Sequence, residues 1–140
     1  MANVKYNYGK GEFAKGNIDW ANDTIKVALV TSSYTPDADG DENFDDITNE
    51  VSGTGYTAGG NALANTSVTV DNTNDLAKLD ADNEVWSDST ITARGAVVYK
   101  DSGASSTSPL ICYLDFTEDK ASTGGSFTVN FNADGVLTLS

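Results

Sequence analysis

Thr90-Ile-Thr-Ala-Arg-Gly-Ala-Val-Val-Tyr-Lys100 is the stretch on which the fold of this chain turns. Side chains alternate along a strand. Ile91, Ala93, Gly95, Val97 and Tyr99 therefore fall on one side, and Thr92, Arg94, Ala96, Val98 and Lys100 on the other. Polarity gathers at the ends, so both faces of the middle are expected to be covered, as in a central strand of a packed sheet. A Ser/Thr-rich segment follows, and then a second apolar run, Leu110-Ile-Cys-Tyr-Leu-Asp-Phe116. The two runs read as a long hairpin with a loop of about eight residues, against which every other element packs.

Outward from that hairpin, the rest of the chain supplies short β elements. Thr24–Thr31 is a strand with apolar residues on both faces beyond Lys26. Asn65–Val70 alternates, with Val68 and Val70 expected inward and Thr69 outward. Leu76–Asp80 and Glu84–Ser87 are further strands, the latter anchored by Trp86. Glu118–Gly125 reads as a polar turn, and Ser126–Asn132 as a half-buried strand with Phe127, Val129 and Phe131 inward. Val136–Leu139 closes the chain. Ser32–Asp46 is a loop, and the glycines of Gly53–Gly60 suit a bend that lays Tyr56 across a sheet end. About eight short antiparallel strands at this spacing predict an all-β, single-domain sandwich of jelly-roll kind over residues 17–140. Residues 1–16 are read as a short helix or as an arm that orders only on a partner. Gly9, Gly11 and Gly16 weaken the helical alternative, each by about 1 kcal/mol against Ala.

Composition narrows the function. The chain of 140 residues carries 21 acidic and 8 basic side chains, a formal charge of −13. That balance argues against a nucleic-acid groove, which needs clustered Lys and Arg, and against an anionic membrane surface. No run approaches the roughly 18 apolar residues of a membrane span. The N-terminus lacks the apolar stretch of a signal peptide, so synthesis and folding in a cytoplasm are expected. Cys112 is the one cysteine; in its apolar run it is read as a small buried hydrophobe rather than a nucleophile.

Catalysis is not expected. Without histidine, a Ser–His–Asp triad, a Cys–His pair and His-ligated zinc are all impossible. Carboxylate-pair chemistry needs an acid in an apolar setting, and only Asp115 approaches that. In Asp37-Ala-Asp-Gly-Asp-Glu42, three acids take the first, third and fifth places of a calcium loop. Glu42 stands where that loop needs Gly, and Thr48 where it needs Glu, so a solvated loop is expected and no metal or other cofactor is assigned. The Gly53–Gly60 stretch lacks the Lys-Ser/Thr ending of a phosphate loop. Arg94, the only arginine, must either pair with an acid inside the fold, Asp115 being one, or reach a subunit boundary.

Three strings taken together carry a resemblance. They are Asp23–Ser32 with Tyr34-Thr-Pro36, Asn49–Gly60, and Ser89–Lys100 with Ser108–Ile111. In this order the chain resembles a family of small virion structural proteins of tailed bacteriophages and prophages, over roughly residues 13 to 132. The resemblance implies a non-enzymatic capsid decoration (cement) protein on the virion surface. Such a protein binds the major capsid protein and stabilises the head by bridging its subunits. It works as a homotrimer or homodimer and engages neither nucleic acid nor membrane. No catalytic residues are implied. Tyr6, Tyr8 and Phe13 in the N-terminal segment, with Trp20 and Arg94, are the candidate interface residues, and the segment is expected to be removable without loss of the fold. The rival reading is a tail-associated or receptor-binding fibre module. A third is a calcium- or carbohydrate-binding domain outside any virion.

Overall fold

The computed structural model describes residues 3–140. Among them lie strands β1 (Val4–Lys5), β2 (Ile25–Val30), β3 (Asn61–Ala62), β4 (Ser67–Asp71), β5 (Leu76–Asp80), β6 (Glu84–Lys100), β7 (Leu110–Val129) and β8 (Leu137–Leu139), and one α-helix, α1 (Asn7–Ala14). They form two antiparallel sheets, ordered β1-β7-β6-β2-β3 and β4-β5-β8. This is the all-β sandwich that the strand spacing predicted. Here the consecutive strands β6 and β7 lie side by side, and the sandwich is built around their hairpin.

That hairpin is longer than its sequence suggests. β6 runs for 17 residues and β7 for 20, absorbing both Glu84–Ser87 and the expected turn at Glu118–Gly125. The polarity of that turn marks a bulge. Ala93 pairs with Lys120 and Gly95 with Asp115, so Arg94 alone stands against Phe116–Asp119. Thr117 takes the left-handed φ of 68° that the excursion needs. The bulge also switches faces. Ile91 and Ala93 enter the main core, but beyond Arg94 the residues that do so are Ala96 and Val98, while Val97 and Tyr99 turn to the opposite side. The strict alternation expected through Thr90–Lys100 therefore breaks at Gly95.

Repeated register shifts curl the ribbon. Phe116 and Phe127 have ring centroids 6.1 Å apart. Eleven residues of straight strand would separate them by about 36 Å. The curl closes the main core around Trp86, Phe127 and Val129, with Ile18, Trp20, Leu79 and Leu137 completing it.

The opposite face of the large sheet carries a second core of Tyr6, Ala28, Val30, Tyr34, Val97, Tyr99, Leu110 and Tyr113. Both faces of the central strand are thus covered over Gly95–Tyr99, whereas Thr90 and Thr92 stay exposed. The second cover comes from the N-terminal segment and the loop after β2, through Val4, Tyr34, Phe44 and Ile47. Residues 4–14 are part of the fold. Val4 pairs with Tyr113 and Lys5 with Cys112, and Tyr6 is fully buried. The glycines that weaken α1 as an isolated helix let it sit down on the sheet, because a Cβ at Gly9 would collide with the Leu110 carbonyl oxygen.

Candidate functional site

The five residues singled out for contact are not brought together. The Tyr6 ring lies in the second core, and Trp20 lies in the main core, 2% exposed, with its indole N–H donating to the Asp80 carbonyl at 3.0 Å. Neither side chain is free to reach a neighbour, so both leave the candidate interface. Burial of Tyr6 also corrects the picture of a removable arm: its loss would open the second core. Tyr8 and Phe13 are half-buried on α1, Phe13 against the main core. Arg94 pairs internally, its Nε 3.5 Å from the buried Asp115 carboxylate and its Nη1 4.0 Å from Asp119. It spans the bulge that it faces, which joins the two halves of β7 electrostatically.

Several other buried and half-buried polar groups act as struts. Tyr34 has one hydroxyl proton and donates it to Asp41 at 2.7 Å, so the Tyr6 hydroxyl must be the donor to Tyr34, also at 2.7 Å. This chain fastens the N-terminal segment to the acidic loop. Tyr56 donates to Glu50 at 2.6 Å and accepts the Leu29 N–H at 2.9 Å. The same Glu50 oxygen accepts the Gly59 N–H at 2.7 Å, and Tyr99 donates to the Gly59 carbonyl at 2.6 Å. Burial pushes the hydroxyls of Tyr6, Tyr34, Tyr56 and Tyr99 above the ordinary tyrosine value; carboxylates facing Tyr34 and Tyr56 add to it. Burial likewise pushes the Cys112 thiol up to about 12, in keeping with a small core hydrophobe.

In the acidic loop, Asp37 Oδ1 accepts the backbone N–H groups of Asp39 and Gly40, both at 3.1 Å. Asp41 Oδ2 accepts the Asp37 N–H at 3.0 Å, and Asp39 accepts the Asn7 amide at 2.6 Å. These carboxylates shape the loop and tie it to the start of α1. Among the described residues no group of three or more Asp, Glu, Cys or His side chains is placed to hold a metal ion.

One surface feature was not foreseen. Val68 and Val70 face the side expected, in rows with core residues: Val68 lies opposite Leu79, which pairs with Leu137, and Val70 opposite Ala77, which pairs with Leu139. Yet Val68 is 49% exposed and Val70 69%. The apolar face of the small sheet overhangs its core. Beside the overhang a groove of about 380 Å³ runs between Phe13, Ile18, Trp20, Val68, Leu79 and Leu139. Alternation reveals which way the valines face, but not whether anything lies over them; no local signal distinguishes a covered apolar row from a bare one. A second groove, of about 370 Å³, lies in the bend of the ribbon beside Phe116, Lys120, Phe127 and Val129.

Against known proteins, no protein-family model, no curated sequence and no solved structure matches this chain.

Proposed function

We propose that the protein is a non-enzymatic structural component of a bacteriophage virion, most specifically a capsid decoration protein that binds the major capsid protein and stabilises the head by bridging its subunits. The observation that carries this reading is the resemblance of the strings Asp23–Ser32, Asn49–Gly60 and Ser89–Lys100. The use made of the buried and half-buried polar side chains supports it. Tyr6, Tyr34 and Asp41, then Tyr56, Glu50 and Tyr99, and then Arg94 with Asp115, all join separate segments of the chain to one another. A cement protein needs such a braced small fold more than it needs reactive groups. The charge of −13 suits crowded display on a shell, where like copies must repel rather than aggregate.

The test is the copy number in purified virions, measured by quantitative mass spectrometry against the major capsid protein. About one copy per capsid subunit is expected. A ratio below about a tenth would move the protein to the tail or a fibre, and absence from virions would reject a structural role altogether.

A further inference from the structure

We propose that β4 is a self-association edge: β4 of a second copy adds antiparallel across a two-fold axis through Thr69, joining two three-stranded sheets into one of six strands. Three observations lead there. First, the edge is open. Among the described residues the backbone of Ser67–Asp71 bonds to β5 on one side, and no other backbone hydrogen bond engages it. An unpaired strand edge is a template for another strand, and proteins normally blunt it with charge, proline or bulges. The free edge of β7 beyond β1 is blunted in that way, by Glu118, Asp119 and Lys120 and by three register breaks. β4 has a regular register and carries neither proline nor lysine.

Second, the strand is complementary to itself. With Thr69 facing its own copy, Val68 falls opposite the second copy's Val70, and Ser67 opposite the second copy's Asp71. Apolar meets apolar, threonine meets threonine, and no like charges face each other directly, which are the pairings that stabilise a ladder. The one charge in the strand, Asp71, is already held by Lys78 at 3.3 Å within its own chain. A foreign strand would have to reproduce this pattern; a second copy supplies it by symmetry.

Third, the pairing covers what is bare. The second copy's Val70 arrives beside Val68, at the mouth of the groove formed with Phe13, Trp20 and Leu139. Two rows of exposed valine are buried at once, and the overhang becomes the floor of a continuous sheet. Because each copy carries −13, association must work against repulsion that salt screens, so the dimer is expected to tighten as ionic strength rises. A dimer held by ion pairs would loosen instead.

The inference stands apart from the virion role, since the edge and its register are properties of the chain alone. The experiment is sedimentation velocity on the full chain, with two kinds of variant. The unaltered protein is expected to be dimeric, and Val70→Lys monomeric with unchanged circular dichroism. In mild oxidation Thr69→Cys is expected to cross-link to covalent dimers, whereas Ser67→Cys, whose position faces residue 71 of the other copy, is not. The native thiol of Cys112 is buried and does not compete. A monomeric unaltered protein, an assembly of odd order, a dimer indifferent to Val70→Lys, or equal cross-linking at 67 and 69 would each overturn the proposal.

Discussion

The two tryptophans show how far a residue's surroundings govern its worth. Trp20 and Trp86 are equally buried, each 2% exposed in the same core. The indole N–H of Trp20 has a carbonyl partner in Asp80, whereas that of Trp86 has no hydrogen-bond partner among the described residues. Replacement by phenylalanine removes similar volume at both positions. At position 20 it also leaves the Asp80 carbonyl without its donor; at position 86 it removes a donor that was buried unsatisfied. Trp20→Phe is therefore expected to cost about 1 kcal/mol more than Trp86→Phe, the net worth of one such bond. Urea unfolding of the two variants measures the difference, and equal losses would mean that the Trp20 bond contributes nothing net.

Elements here are held by contacts that their intrinsic propensities oppose. The helix α1 has two glycines in eight residues and no side-chain bond at its N-cap. It persists because β1 pairs with β7 just ahead of it, Tyr6 is buried at its start, and Gly9 allows the backbone to touch Leu110. Gly9 and Gly11 then separate propensity from packing. A Cβ at Gly11 meets nothing within 4 Å, so Gly11→Ala should stabilise the protein by up to about 1 kcal/mol. At Gly9 the same change drives a methyl into a backbone oxygen, and a loss of about 1–3 kcal/mol is expected, as for overpacking elsewhere. Thermal unfolding of the pair gives the two signs; stabilisation by both would show α1 to be lifted from the sheet.

For the molecule as a whole, buried tyrosines set the alkaline limit of stability. Burial raises the hydroxyls of Tyr6, Tyr34, Tyr56, Tyr99 and Tyr113 above their ordinary value. A raised pKa favours the protonated, folded form. Its contribution is complete below the unfolded value of about 10 and is lost as pH climbs past it, because only the unfolded chain then releases the protons. Tyrosinate absorbance and circular dichroism are therefore expected to change together above about pH 10. Ionisation of these five tyrosines near the ordinary value, with the dichroism unchanged, would contradict this. At the acid end the order reverses. The Asn17 amide, foremost, and Lys15 hold the Glu12 carboxyl below its usual range. The Asn74 amide does the same for Asp71, down to about 2. The contributions of these groups are complete above the ordinary carboxylate value and lost as pH falls through the folded one.

The amino-acid sequence by itself determined the fold class, the hairpin at its centre and the covering of both faces in the apolar half of Thr90–Lys100, Gly95–Tyr99, because apolar runs and turn residues are local properties of the chain. It also required a partner for Arg94, an internal acid such as Asp115 or a subunit boundary, because a lone arginine in an apolar strand needs compensation; the register of β6 on β7 settled on Asp115. Tertiary structure alone decided the rest. Glu118–Gly125 stayed within β7, with a bulge at Phe116–Asp119, rather than making a turn, because a polar run beside a left-handed residue serves either purpose until the strand opposite it is in register. Residues 4–14 became part of the fold because Tyr6 and Gly9 find complementary shapes on β7 and the loop after β2, far away in sequence. Val68 and Val70 were left bare because cover depends on which elements pass overhead. A strand determines the side to which its valines point; only the assembled layers determine whether anything meets them.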